Sequence, residues 1–193
     1  MGQLAARAVE CAPYDKKRFH ENLGTIRGLT TAPAETFVPE MRRLCAESGV
    51  ALALIPEMKK APWSGAADWL SASKAMIILN LRGKAEDKFW FTFFHEASHI
   101  LHDSKKATHI DDGKIYADDP AERRADEFAA EFLIPRKYDP AIAKARSAAD
   151  MRMLAQQIGV SPGIVVGRFQ HITKKWTHFH ALKLRFDWKS DDE

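Results

Sequence analysis

Two histidines and a glutamate stand at a spacing that suits metal-dependent hydrolysis. His95 and His99 are four residues apart in the stretch FWFTFFHEASHILHD, residues 89–103. On a helix, side chains four apart project from one face, one turn above the other, so both imidazoles could bind a single ion. Glu96 would then lie beside the open coordination position. The pattern His-Glu-x-x-His predicts two metal ligands and a general base for water.

The residues around this motif predict that its helix is largely buried. Apolar side chains cover most of the helix surface: Phe89, Trp90, Phe93, Phe94, Ala97, Ile100 and Leu101. Buried imidazoles and a buried carboxylate are costly unless they are paired or bind a metal. Two capped or exposed histidines would leave this polar cluster in an apolar run unexplained, and a metal site accounts for it better.

A second helix can supply the third protein ligand that a catalytic zinc requires. It is predicted in DDPAERRADEFAAEFLIP, residues 118–135, where Asp119 can cap the helix and Pro120 suits its first position. Glu122 and Asp126 are four residues apart on its inner stripe. This spacing permits Glu122 to bind the metal while Asp126 holds the second ring nitrogen of a ligand histidine.

The elements that must position these residues predict an α+β domain, a small antiparallel sheet with helices gathered around it. We place the strand over 74–81 at the sheet edge beside the active helix, where an extended peptide could pair with it. We interpret residues 1–35 as an N-terminal extension and residues 36–193 as the domain. Apolar patterning predicts a helix over 36–48, strands over 50–57, 64–70 and 74–81, helices to about residue 170, and a late strand over 178–188.

Length and composition exclude several classes of protein. The chain has 193 residues, enough for one domain with a core of its own. Its apolar runs are shorter than the roughly 18 residues that a membrane span needs. The first residues lack the apolar segment of a secretory signal, which predicts a cytoplasmic protein. Cys11 and Cys45 are too few for a disulfide framework, and we expect reduced thiols.

The C-terminal half is basic. From residue 136 to residue 189 there are 11 Lys and Arg against 3 Asp, an excess of 8 positive charges. Within it, LAQQIGVSPGIVVGRF resembles a helix-turn-helix, but Pro162 and Gly163 open the second helix and few side chains remain to read base edges. We expect helix packing and a solvated basic face, with at most weak, non-specific association with nucleic acid.

The two polar helices together resemble the ImmA/IrrE family of zinc metallopeptidases. FFHEASHILH and ERRADEFAAEFLIP follow that family's His-Glu-x-x-His and its later Glu-x-x-Ala-Asn/Asp-x-Phe-Ala with an apolar pair and proline. SGAADWL and GVSPGIVVGRFQH also look like the peptidase-like C-terminal half of HigA-type antitoxins. The resemblance implies a zincin-like fold, with His95, His99 and Glu122 as zinc ligands and Glu96 as general base.

The resemblance also implies a biological role. It suggests a regulatory protease that cuts a helix-turn-helix repressor or a toxin–antitoxin partner. The alternative is a non-catalytic antitoxin or regulator module that binds a toxin or repressor. Residues 1–35 are too short to hold the helix-turn-helix domain of fused members. Arg124 stands where the family often has a second acidic residue, which we interpret as a neutral surface change, and Tyr116 is one candidate to stabilise an oxyanion.

Overall fold

The computed structural model describes residues 2–56, 64–80, 85–104 and 119–187, together with the backbone of 109–110. These residues form eight α-helices and one four-stranded sheet, which confirms the predicted α+β class. The helices are α1 (Gly2–Ala8), α2 (Lys16–Gly28), α3 (Ala34–Glu47), α4 (Glu86–His102), α5 (Pro120–Leu133), α6 (Asp139–Lys144), α7 (Ala148–Ile158) and α8 (Pro162–Thr173). The strands are β1 (Val50–Ile55), β2 (Gly65–Ser71), β3 (Lys74–Asn80) and β4 (His109–Ile110).

The sheet is mixed, and the expectation of a purely antiparallel sheet is wrong. The strand order is β1-β3-β2-β4. A tight turn joins β2 to β3 as an antiparallel pair, while β1 runs parallel to β3 with Val50 opposite Ala75. β4 pairs antiparallel with β2 at Ala66 and Ala67.

Strand β3 lies in the middle of the sheet, so its placement at the edge is also wrong. Six of its seven residues are buried, because helices cover both faces of the sheet. Met76 and Ile78 face α1 in a small cluster with Ala6, whereas Ile77 and Leu79 face the main core under α4. A strand apolar on both faces needs a neighbour on each side and cover above and below.

The main core surrounds α4. Trp90, Phe93 and Phe94 are fully buried there, and α4 packs against β2, α5 and α8. Helix α2 also places Phe19 and Leu23 in this core. This helix precedes the predicted domain boundary at residue 35, and that boundary stays a prediction. Among the described helices, none is long and apolar enough to cross a bilayer.

The chain after α8 does not form the predicted late strand. Residues 180–182 form a short 3-10 helix, and Arg185 makes a single antiparallel bridge with Ala85. The apolar residues of this segment pack against helices instead of a sheet: Phe186 lies 5.4 Å from Phe89, and Phe179 lies 5.2 Å from Phe169, between ring centroids. The alternating apolar residues therefore belong to an irregular segment here and not to a strand. Residue 188 lies outside the described part of the chain.

The glycine after α3 gives the first testable prediction. Gly49 has a φ of +79°, and a Cβ on it would overlap the backbone of Tyr14. Gly49→Ala should lower the free energy of unfolding by at least about 1–3 kcal/mol, measured by urea denaturation. The control is Gly24→Ala in α2, where a Cβ meets nothing within 4 Å and helix propensity predicts a gain of about 0.5–1 kcal/mol. Equal stabilities of the two variants would contradict this account.

Candidate metal centre

Helix α4 presents the two histidines of the sequence motif on one buried face. His95 is 7% exposed and His99 is 3% exposed, with Glu96 between them at 1%. Because one helical turn separates the histidines, their Nε2 atoms lie 3.1 Å apart. Both ring nitrogens therefore point towards a common position.

Helix α5 brings the third candidate ligand to the same position. The Asp119 side chain caps this helix by accepting a hydrogen bond from the amide of Ala121, as its sequence predicts. Glu122 then lies in the first turn, with Oε2 3.1 Å from His95 Nε2 and Oε1 3.5 Å from His99 Nε2. One ligand atom from each of the three residues falls within 4.8 Å of the others.

This group fits a metal ion by its donors and its charge. Two imidazole nitrogens and one carboxylate oxygen are the ligands of a catalytic site that keeps one position open. Burial lowers the pKa of His95, but the Asp126 hydrogen bond and the charges of Glu96, Asp126 and Glu122 outweigh burial and raise it to about 9. So much negative charge around a buried imidazole favours a cation there, either a proton or a metal ion.

A carboxylate holds the outer nitrogen of each histidine. His95 Nδ1 lies 2.9 Å from Oδ1 of Asp126, the residue that the sequence suggested for this contact. His99 Nδ1 lies 2.6 Å from Oδ2 of Asp103, which the sequence reasoning missed. The i,i+4 spacing of His99 and Asp103 was the signal that could have identified this contact. His102 turns back to Ser98, with Nδ1 3.0 Å from its carbonyl oxygen.

Arg124 takes part in this outer layer. Its guanidinium contacts Oδ1 of Asp103, while the other oxygen of that carboxylate holds His99. Arg124 thereby links α5 to the end of α4, a role that a neutral surface change would not have. Because Arg124 and Asp103 are far apart in sequence and meet only when the two helices pack, sequence spacing could not identify Asp103 as the partner of Arg124.

Glu96 lies under the first residue of β2. A Cβ placed on Gly65 would be 2.6 Å from Oε1 of Glu96 and 2.6 Å from Cγ2 of Thr92. The strand therefore passes so close to α4 that only glycine leaves room for this carboxylate. Gly65 was not identified from the sequence, because the constraint comes from another element. Tyr116, the candidate for oxyanion binding, lies outside the described residues.

These contacts define a metallopeptidase-like domain, with two buried histidines and a partly exposed glutamate on two packed helices. The chain belongs to the peptidase M78 family, since the family model described as the IrrE N-terminal-like domain matches residues 54–170 of the 193. The matched segment contains all three candidate ligands and Glu96, and it confirms the resemblance to ImmA/IrrE proteins. No curated protein matches the chain significantly.

Removing Asp126 should weaken metal binding without unfolding the protein. We expect Asp126→Ala to lower zinc affinity by about 10-fold, the low end of the range for such partners, because its side chain is 61% exposed and water can replace it. Competition with a chromogenic chelator measures the affinity, and the thermal midpoint reports folding. Glu127→Ala, which removes a 69% exposed carboxylate from the next position, is the control. Equal affinities of the two variants would remove Asp126 from the site.

Removing Asp103 should cost more, since its side chain is only 7% exposed. We expect Asp103→Ala to lower zinc affinity by about 100-fold and Arg124→Gln by a smaller factor. If Arg124 acts through Asp103, adding Arg124→Gln to Asp103→Ala should change affinity no further. Arg123→Gln, an exposed neighbour, serves as the control. Additive losses in the double variant would show that Arg124 acts independently of Asp103.

Proposed function

We propose that this protein is a zinc-dependent endopeptidase. The observation that carries the proposal is the convergence of His95, His99 and Glu122 beside the buried carboxylate of Glu96. Membership of a peptidase family supports the reaction class. Two histidines and one glutamate, together with an adjacent carboxylate, are the groups that hydrolysis of a peptide bond requires.

The residues divide the work of the reaction. His95, His99 and Glu122 would hold the ion, which when bound polarises a peptide carbonyl and lowers the pKa of water. Asp126 and Asp103 accept hydrogen bonds at the Nδ1 atoms, which fixes the tautomers and leaves the Nε2 lone pairs free for binding.

Glu96 acts as the general base. It takes a proton from the attacking water while the water oxygen bonds to the carbonyl carbon, and it passes that proton to the leaving amine as the C–N bond breaks. The close approach of Gly65 holds its carboxylate against the site. One side chain therefore accepts the proton of the nucleophile and donates it to the leaving group.

We further propose a helix-turn-helix transcriptional regulator as the substrate, because the resemblance to ImmA/IrrE proteins implies this class. A repressor or a toxin–antitoxin partner encoded beside the gene would be the first to test. A domain that binds such a partner without cutting it is the competing function. The same residues would be present in both cases, so the two must be separated by experiment.

Glu96→Gln separates them. We expect the wild-type protein and the variant each to bind one zinc per chain by metal analysis, because Glu96 is not a ligand. It should lose at least about 100-fold in the rate of cleavage of the neighbouring regulator, since its amide cannot accept the proton. Glu21→Gln is the matched control and should cut at the wild-type rate, because Glu21 lies on α2, is 63% exposed and is not part of the metal centre.

Two outcomes would contradict the proposal. A wild-type protein that takes up no zinc would remove the metal centre. A Glu96→Gln variant that still produces the full regulatory effect in cells would favour the binding module, because binding alone would then suffice.

A further inference from the structure

An apolar pocket of about 700 Å³ lies beside the metal centre. It is lined mainly by α4, α5 and α8, with further residues from the segments next to them, and it is open on one side. Its apolar wall includes Phe91, Leu133, Ile134, Ile164, Ile172 and Trp176. This volume is within the range of sites that bind small ligands and is far larger than the volume of a methyl group.

The pocket adjoins the candidate catalytic site. Asp126, which holds His95, forms part of its wall. Thr92 and Ser64 also line it, and these residues lie one turn before Glu96 and immediately before Gly65. A peptide bond held beside His95 and Glu96 would therefore place a neighbouring side chain at the pocket mouth.

Most charged side chains of the pocket wall have an oppositely charged partner, either in the wall (Arg168 with Asp139, Arg136 with Glu127) or just outside it (Lys183 with Asp87), and Lys88 is exposed to solvent. Arg168 makes two bonds of 2.8 Å to the carboxylate of Asp139. Lys183 lies 2.7 Å from Asp87. All four side chains are at most 29% exposed, so a charged occupant would lose its hydration and find these charges already neutralised. The wall thus favours an uncharged occupant.

Trp176 contributes to the wall from the segment that follows α8. Lys174 and Phe179 flank it, both in the left-handed conformation with φ of 61° and 57°. Gln170, 3% exposed, donates from Nε2 to the carbonyl of His178 at 2.8 Å. Trp176 nevertheless stays 58% exposed, and an exposed tryptophan at a pocket wall is a typical anchor for a bound partner.

We propose that this pocket receives the large, uncharged apolar side chain of a substrate residue next to the cleaved bond. The inference rests on the proposed peptidase function and narrows its substrates to peptides with leucine-, methionine- or phenylalanine-like residues at that position. Selectivity comes from the apolar area that the side chain buries against Trp176 and the helices.

Hydroxamates test the pocket on the zinc-loaded protein by titration calorimetry. N-acetyl amino-acid hydroxamates place the side chain on the acyl side of the metal-binding group, and 2-substituted malonyl hydroxamates place it on the amine side. Each series carries methyl, isobutyl, benzyl, carboxyethyl and aminobutyl groups. In one series we expect isobutyl and benzyl to bind about 10- to 100-fold more tightly than methyl, with no gain for the charged groups.

Two variants locate this gain in the pocket. Trp176→Ala should reduce it several-fold, and Ala130→Phe, which fills the pocket from α5, should remove it. Met153→Ala is the control, because Met153 is 64% exposed and does not line the pocket. Thermal midpoints show that each variant is folded, and acetohydroxamate, which has no side chain, should bind all of them equally.

The outcomes separate this inference from the proposed function. Equal affinities across both series, or a gain that neither pocket variant changes, would overturn the pocket while acetohydroxamate binding left the metal centre intact. A protein that binds neither zinc nor acetohydroxamate would overturn the proposed function, and the pocket would fall with it.

Discussion

The packing of α4 against α5 is the interaction on which the rest of the site depends. Ala97, Ala125 and Ala129 are fully buried, and such small side chains allow the helix axes to approach closely. Only at that separation can groups from α5 reach the histidines of α4. His95 and His99 contact Glu122, His95 contacts Asp126, and Asp103 contacts Arg124, so polar links between the two helices involve the candidate ligands and the outer carboxylates. Metal binding and the pairing of these helices are therefore coupled, and an ion bound there stabilises both.

The sequence predicted the parts of the site that depend on spacing within one helix. His95 with His99, and Glu122 with Asp126, are each four residues apart, so helical geometry alone places each pair on one face. Constraints between elements were not accessible in this way: Gly65 matters only because β2 passes close to α4. The central position of β3, by contrast, could have been predicted from the sequence. Its uninterrupted apolar run already indicated burial on both faces and hence a central strand.

The charge around His95 explains why the site suits a cation. Its pKa is raised from the ordinary value of 6.5 to about 9, so the metal-free fold holds a proton there at neutral pH. A raised histidine pKa contributes stability that is fully present below the unfolded value and is lost as the pH rises through about 9. A metal ion must displace this proton when it binds. Once bound, it balances the negative charge of the same carboxylates even above about pH 9, where the proton would be lost.

The exposure of the outer carboxylates differs between the two sides of the centre. On the His99 side the Asp103 side chain is 7% exposed and Arg124 lies over it, so the described surface is closed there. On the His95 side Asp126 is 61% exposed and Glu122 is 24% exposed. The apolar pocket opens on this second side, because Asp126 belongs to its wall. One side of the centre therefore holds its candidate ligand with a buried carboxylate, and the other side is open to solvent.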